Sequence, residues 1–377
     1  MSCFDELRSQ VCIIGATLCC PFALVLVISF DLAFSQVPKL KICCFSFDKN
    51  QWRLYNNLVG ENIMVWLYIS IIMCMRVVQS VFSKKNATSL NKNAICYVKY
   101  TAYFQGVAGF FALGLFVVEL IIGTTVSGVG ETILYSVLSG LALALSCICG
   151  IYILCQGTMA LSSLFGTAGL IVPTVASIFL YDEFVSWYQW VAIAVFMVGA
   201  FFLAGGSKKI YGKFTITQLA VLVCSLLLGG TTMLMQKMFG MNVQGGNVSL
   251  FSLISFGSSA LLFAAVIPVL QLCNKKVMPS NETHEKFTLF PPTKEQAKLN
   301  KNSYLYGLFL AMAVFLINQL STLSTPLIEA VVLFAIICGG ATIISTLVGA
   351  VLYKEKITWR TVVGLILGIG SLVLLKI

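Results

Sequence analysis

The stretch CGGATIISTLVGAVLYKEKITWR, residues 338–360, determines the architecture that we predict for the whole chain. Two glycines open an apolar segment, which ends at a charged turn before another apolar segment begins. A similar stretch, GTAGLIVPTVASIFLYDEFVSWYQ, occupies residues 166–189, and an offset of 172 positions aligns the two. The identical pairs are Ile171 with Ile343, Thr174 with Thr346, Leu180 with Leu352, Tyr181 with Tyr353, Glu183 with Glu355 and Trp187 with Trp359. This repeat indicates that the chain contains two copies of one unit.

The composition is that of a membrane protein. Of the 377 residues, 59% are hydrophobic and only 10% are charged, and the mean hydropathy is +0.95. A soluble domain carries about 25% charged residues. Apolar runs of about 20 residues recur along the chain, and such runs form helices because lipid offers the backbone no hydrogen-bond partners. We therefore predict an all-α polytopic membrane protein.

Charge and cysteine content exclude several other classes. The net charge of +10 comes from basic residues in loops, which is the positive-inside bias of membrane proteins, so we predict no nucleic-acid partner. The 14 cysteines lie mostly in apolar runs, and no CxxC pair occurs. Buried cysteine behaves as a small hydrophobic residue. We therefore expect no disulfide framework, no metal site and no cofactor.

Ten membrane spans are predicted from Met64 onward. They cover residues 64–83, 97–122, 131–156, 159–181, 186–205, 214–238, 248–273, 304–324, 328–353 and 358–376. The first five match the second five, so residues 64–205 are the first predicted five-helix repeat and residues 206–377 the second. The long loop 274–303 explains why the offset between the repeats grows along the chain.

Lysine and arginine predict how the spans are oriented. Most of them follow spans one, five, seven and nine, and loop 274–303 is among these segments, so the positive-inside rule places these loops in the cytoplasm. Each repeat has an odd number of spans, so the two repeats lie in the membrane in opposite senses and form an inverted repeat. The predicted location is the plasma membrane, as a multi-pass protein of a bacterial inner membrane.

Residues 1–63 form a leader without a counterpart in the second repeat. Its apolar run, residues 11–34, is either an extra N-terminal transmembrane helix or an uncleaved signal-like segment. A third interpretation is a mis-assigned start. Gly60-Glu61 can be encoded by a purine-rich ribosome-binding sequence just before Met64, which would then be the first residue of a bacterial protein.

Each predicted repeat ends in the same series of features: a small-residue span, a Tyr-x-Glu turn, a Ser/Thr-Trp helix start and a Gly-rich closing helix. In these features the chain resembles the EamA-like branch of the drug/metabolite transporter (DMT) superfamily. The resemblance covers residues 64–376 and is clearest over 165–203 and 318–374. It implies a ten-helix bundle with a central cavity, alternating access and a small-molecule substrate. The motifs are degenerate and do not specify that substrate.

Polar residues within the spans are candidates for the substrate cavity, because amides and charges at membrane depth need partners or water. Arg76 in span one either extends toward the cytoplasmic end or binds an anion, with Gln79 on the same helical face. Asn318 and Gln319 lie in the middle of span eight, and Ser146 lies at the matching place in span three. We expect them to contact substrate rather than only to join helices.

Proline and glycine mark further candidates in spans four and nine. Pro173 kinks its helix and either borders the substrate site or only shapes packing. Gly339-Gly340 allows close helix approach, or lets a substrate reach the backbone. The predicted substrate-binding set is Arg76, Gln79, Ser146, Tyr152, Gln156, Pro173, Asn318, Gln319, Gly339 and Gly340.

Two carboxylates are candidates for coupling transport to protons. Glu119, near the end of span two, is either a coupling group or a partner for Arg76. Glu329 opens span nine, where a carboxylate also favours the helix N-terminus. The glutamates of the two Tyr-x-Glu turns, Glu183 and Glu355, are interpreted as structural.

The closing helix carries a small-residue face, Gly364-x-x-x-Gly368. It packs within the fold or forms a homodimer contact.

The predicted function is secondary transport of a small metabolite or drug-like molecule across the membrane. The alternatives are a non-transporting receptor or scaffold and a membrane enzyme. His284, the single histidine, lies in the long loop, and no GxSxG or Walker motif occurs, so we expect no enzymatic activity. The expected partners are a small-molecule substrate and membrane lipid.

Overall fold

In the computed structural model, the structure describes residues 64–79, 81–83, 94–124, 126–155, 168–204, 216–243, 245–274, 301–352 and 358–374. The described residues belong to two compact units, which divide between Cys74 and Met75. Residues 64–74 of the first unit are helical. All contacts given below lie within the second unit. The leader, nearly all of loop 274–303 and the second Tyr-x-Glu turn are outside the described residues.

The described residues form ten helices and no strand, which confirms the all-α prediction. They are α1 (Met64–Ser83, with residue 80 not described), α2 (Ala94–Ile122), α3 (Val129–Cys155), α4 (Ile171–Tyr181), α5 (Trp187–Ala204), α6 (Ile216–Asn242), α7 (Val248–Asn274), α8 (Lys301–Ser324), α9 (Ala330–Leu352) and α10 (Trp359–Leu374). Each corresponds to one of the ten spans predicted from the sequence.

Six of these helices, α1, α2, α3, α6, α7 and α8, are long and apolar enough to cross a membrane. The other four are also apolar, over shorter described lengths. Large apolar side chains point outward from the bundle, among them Phe110 and Leu261, which are 71% and 72% exposed. Such a surface suits lipid rather than water. The chain is therefore a multi-pass membrane protein.

The main helix interfaces join residues 94–204 to residues 216–374. Helix α2 packs on α7 and α8, α3 packs on α6 and α7, and α5 packs on α10. Helices α2 and α7 approach closely at Gly109. A Cβ placed on this glycine would lie 3.6 Å from the Phe256 Cβ and 3.7 Å from the Gly257 backbone nitrogen. The two predicted repeats thus share one large interface.

The small-residue face of α10 packs inside the fold. A Cβ placed on Gly199 of α5 would lie 3.1 Å from the Gly364 carbonyl oxygen and 3.1 Å from the Gly368 nitrogen. The Gly-x-x-x-Gly face is therefore used within the chain. A homodimer contact through the last helix stays a prediction, and it would need another face of α10.

Four short connections meet at one end of the bundle, at residues 123–128, 182–186, 243–247 and 325–329. We call this the short-connection end. Gly128 and Gly245 have φ values of 61° and 70°, which glycine adopts without the strain of a side chain. The positive-inside rule predicts that this end faces out of the cytoplasm.

Candidate functional site

A buried ion pair joins the two halves of the sequence at the short-connection end. Lys237 Nζ on α6 lies 2.6 Å from Glu183 Oε1 in the α4–α5 connection, and the side chains are 3% and 14% exposed. Lys237 also donates to the backbone oxygens of Thr325 at 2.9 Å and Ile328 at 3.2 Å. All three ammonium donors therefore have acceptors.

The second carboxylate oxygen of Glu183 accepts a hydrogen bond from the backbone N–H of Ala330 at 3.1 Å. This N–H begins α9, where a negative charge is favourable to the helix. Glu183 follows Asp182, whose φ of 52° ends α4 in a left-handed turn. The charged pair thus ties together α6, the α4–α5 connection and the start of α9.

The tyrosine of the same Tyr-x-Glu turn also contacts α6. Tyr181 donates its hydroxyl to Asn242 Oδ1 at 3.3 Å, and Asn242 Nδ2 donates to the Tyr135 hydroxyl on α3 at 3.1 Å. The motif therefore connects α4 to α6 through both of its polar side chains.

A continuous series of hydrogen bonds runs between helices α6, α8 and α7. Gln236 Nε2 donates to Asn318 Oδ1, and Asn318 Nδ2 donates to Ser252 Oγ at 3.1 Å. Ser252 Oγ donates to Gln319 Oε1 at 2.8 Å. Gln319 Nε2 donates to Ser249 Oγ at 2.9 Å. Each side chain is thereby satisfied by a neighbouring helix.

The series ends on the carboxylate of Glu119 on α2. Ser249 Oγ donates to Glu119 Oε1 at 2.8 Å, and Asn247 Nδ2 donates to Oε2 at 2.6 Å. Asn247 Oδ1 accepts the Leu250 N–H at 2.7 Å, which caps the first turn of α7. We call this set the polar chain; its members are Gln236, Asn318, Ser252, Gln319, Ser249, Glu119 and Asn247.

Further polar contacts cross between the halves, deeper in the bundle. Ser259 of α7 donates to Gln105 of α2, whose amide contacts the Cys147 sulfur at 3.8 Å. Ser255 of α7 donates to the Ser136 backbone oxygen on α3 at 3.0 Å. These polar contacts lie among apolar clusters of the same interface, such as those around Phe256 and Phe263.

Arg76 lies apart from the polar chain. Its Nη1 donates to Gln79 Oε1 at 2.9 Å, and its Nε is shielded from solvent without a hydrogen-bond partner. The expected alternative, an ion pair between Arg76 and Glu119, does not form, because both Glu119 oxygens accept from α7 residues instead. Cys338 of α9 lies in the neighbourhood of the guanidinium.

The remaining predicted site residues are scattered. Ser146 Oγ donates to the Ser225 backbone oxygen at 3.4 Å and so joins α3 to α6. Gly339 and Gly340 are buried in α9, whereas Glu329 is exposed just before that helix. The remaining two candidates, Tyr152 in its side chain and Gln156 entirely, fall outside the described residues.

Pro173 lies near the start of α4, just after a turn. It is the third residue of α4, where a missing N–H costs little. Residues 169–170 before α4 form a turn, with the Val172 N–H donating to the Gly169 oxygen at 3.1 Å. Leu170 keeps a right-handed helical conformation, with φ −57° and ψ −23°, and the helical hydrogen bond that is missing to the Gly169 oxygen is the one that Pro173 cannot donate.

Sequence reasoning missed Lys237 and the serines of α7. Lys237 was assigned to the end of span six, yet α6 continues to Asn242 and keeps the lysine inside the bundle. A charge inside an apolar helix was the signal that could have found it. Among the described residues, no group of three or more His, Cys, Asp and Glu side chains could hold a metal ion.

Comparison with known proteins defines the fold only. No family model and no curated protein matches the chain. Solved structures do match, among them one described only as "Crystal structure of protein". It is 13% identical, with a TM-score of 0.57 over 82% of this chain and 94% of that chain. At this identity the likeness shows that the helical arrangement recurs in a solved protein.

Proposed function

We propose that the chain is a secondary transporter that moves a small metabolite or drug-like molecule across the membrane by alternating access. The polar chain is the observation that carries this proposal. Amides, hydroxyls and a carboxylate are costly in hydrocarbon, and within membrane helices they mark pathways for substrates and ions. The polar chain joins α2 of the first half to α6, α7 and α8 of the second. A substrate could exchange hydrogen bonds with these groups as the halves move.

The pattern of helix contacts supports the inverted repeat that this mechanism uses. If each helix of the first half corresponds to the helix five places later, then α2–α7 and α5–α10 are contacts between counterparts. The α3–α7 contact then matches α2–α8. The α3–α6 contact matches the stacking of Phe82 in α1 on Phe309 in α8, with ring centroids 4.9 Å apart. This symmetry, together with the sequence repeat, favours membership of the EamA-like branch of the DMT superfamily.

In the proposed cycle, the Lys237–Glu183 ion pair holds the short-connection end closed. One partner belongs to each half, so the pair has to separate when the halves open at that end. The two charged side chains can separate only if water hydrates both of them, because unpaired ions in a low-dielectric interior cost several kcal/mol. The short-connection end would thus open to water, and the ion pair would form again when that end closes.

Ligand screening followed by uptake tests the proposal. Purified protein is screened against a metabolite library for a rise in Tm, because a ligand of the folded state raises apparent stability. Compounds found in this way are then assayed for saturable uptake into proteoliposomes. We expect at least one compound to do both.

The polar chain provides the matched variants. Asn318→Leu removes an interhelical amide and should reduce uptake strongly. Thr231→Val removes a hydroxyl that bonds only within α6, to the Leu227 oxygen at 2.8 Å, and should leave uptake unchanged. Folded protein that transports no compound of the library, or equal uptake by both variants, would contradict the proposal.

A further inference from the structure

Arg76 lies inside α1, and no described acidic side chain forms an ion pair with it. Lys237 is neutralised by Glu183, and its three donors all have acceptors. Both oxygens of Glu119 are occupied by Asn247 and Ser249. Within the described residues, the Arg76 guanidinium makes one hydrogen bond, which Nη1 donates to Gln79.

At the position of Arg76, a guanidinium without an acidic partner is unfavourable in the absence of a ligand. It lies seven residues before Ser83, about 10 Å along the helix axis, and so well inside α1. Its Nε is shielded and lacks an acceptor. A guanidinium at membrane depth is costly, and such groups usually serve function by pairing with a mobile partner. The missing partner would have to be an anion.

We propose that Arg76 binds an anionic group, a carboxylate or a phosphate, carried by the transported substrate. The guanidinium presents a planar fork of N–H donors that matches both groups in a bidentate manner. Gln79 holds one arm of the fork at 2.9 Å and leaves Nε free to take part. The inference rests on the proposed transport function and names the substrate class for it.

The neighbouring helix favours access to this position. Cys338, which lies in the neighbourhood of Arg76, is followed in α9 by Gly339 and Gly340. Two consecutive residues without side chains reduce the bulk of α9 on this part of the helix, while both glycines stay buried within it. The polar chain, in contrast, contains a carboxylate and neutral groups but no cation that could pair with an anion.

Thermal unfolding of the full-length protein in neutral detergent tests the site. The probes are sodium phosphate and sodium succinate, with glucose and choline chloride as neutral and cationic controls at matched ionic strength. We expect the anions alone to raise Tm, in proportion to the logarithm of their concentration. Equal shifts with all four compounds, or no shift with the anions, would overturn the proposal.

Variants assign the effect to Arg76. Arg76→Gln should weaken anion binding about tenfold or more, because charge-assisted hydrogen bonds are lost. Arg76→Lys should retain part of the affinity, and Lys301→Gln, at an exposed lysine, should retain all of it. If Arg76→Gln fails to fold, the comparison of Arg76→Lys with the wild type decides, and identical affinities would overturn the assignment.

Two further arms separate this inference from its alternatives. A short-chain phosphatidylglycerol presents the same phosphate from a lipid, and an Arg76-dependent shift with that lipid but not with the soluble anions would overturn the substrate assignment. Uptake of a neutral or cationic compound at the same rate by wild type and Arg76→Gln would overturn the anion site and leave transport standing. Arg76-dependent anion binding without any uptake would instead contradict transport.

Discussion

Lys237 can remain charged inside the bundle because each of its three donors has an acceptor. Glu183 supplies a carboxylate at 2.6 Å, and the backbone of the α8–α9 connection supplies two carbonyl oxygens. Removing one member of a buried pair leaves an uncompensated charge, whereas replacing both by apolar residues is often neutral. The ion pair should therefore behave as a unit.

Double-mutant analysis of this pair provides the first prediction. Lys237→Met and Glu183→Leu should each destabilise the fold by about 3–5 kcal/mol, and the double variant should recover most of that loss. Equilibrium unfolding of the purified protein measures the three values. Glu131→Gln, at an exposed glutamate in the first turn of α3, is the control and should have little effect. Additive losses would show that the two charges act independently.

Glu119 and Glu329 differ in their surroundings, and this difference makes the second prediction. Glu119 accepts hydrogen bonds from Asn247 and Ser249, whereas Glu329 is exposed at the start of α9. If protonation of Glu119 is coupled to transport, Glu119→Gln should abolish the stimulation of uptake by an imposed pH gradient. Glu329→Gln should keep that stimulation. Unchanged stimulation in both variants would remove both carboxylates from a coupling role.

Individual site residues were predicted only where their side chains are of a type that is rare in an apolar run. Asn318, Gln319 and Glu119 were found because amides and carboxylates are rare in membrane helices. Ser249 and Ser252 were missed, because a serine in an apolar helix is also a common small packing residue. The hydrogen bonds that connect these five side chains depend on which helices become neighbours, and no local pattern specifies that.

At the scale of the helices, the length of each apolar run predicted that a helix forms there. Tertiary contacts determine the residue at which each helix ends. Helix α6 was predicted to end at residue 238 but continues to Asn242, whose side chain bonds to Tyr181 and Tyr135. Span four was predicted to begin at residue 159 and to kink at Pro173. In the described part of it, a turn at residues 169–170 precedes α4. Apolar composition alone does not distinguish an unbroken helix from a turn whose backbone N–H and C=O groups find partners within the protein.

Adjacent glycines in α6 give the third prediction. A Cβ on Gly230 would lie 2.5 Å from the Gly169 carbonyl oxygen and 2.5 Å from the Val172 Cβ, so Gly230→Ala forces α6 away from α4. The expected loss of stability is about 1–3 kcal/mol, as for other overpacked sites. Gly229→Ala is the matched control, because its Cβ would meet only the Ser146 hydroxyl, at 3.5 Å. Equal unfolding midpoints for the two variants would show that this helix contact adapts freely.

At the scale of the whole molecule, the sequence repeat predicted ten helices in two matching sets, and ten helices are present in the described residues. Helix contacts join the sets in a symmetric pattern, and a solved protein shares the arrangement with a TM-score of 0.57. Opposite orientation of the two sets in a bilayer remains a prediction. It follows from the odd number of spans in each predicted repeat. Which end of the bundle faces the cytoplasm is a separate prediction, for which charge distribution is the sequence signal.

Cysteine labelling in a cysteine-free background tests orientation and closure together, as the fourth prediction. Asn247→Cys occupies a buried position at the short-connection end, and Gly130→Cys an exposed one near it. A membrane-impermeant maleimide added outside intact cells should label Gly130→Cys readily and Asn247→Cys slowly. Lys301→Cys, exposed at the start of α8 and predicted cytoplasmic, should be labelled only after permeabilisation.

Adding Glu183→Gln should raise the labelling rate of Asn247→Cys several-fold and leave that of Gly130→Cys unchanged. The reason is that Lys237 then loses its charge partner, so the closed arrangement loses stability relative to an open one that hydrates the lysine. Global unfolding would accelerate labelling at every buried position, so Ala144→Cys, fully buried in an apolar cluster outside the polar chain, serves as the reference. Labelling of Asn247→Cys that is independent of Glu183 would mean that the ion pair stabilises the fold without controlling access, and external labelling of Lys301→Cys would reverse the predicted topology.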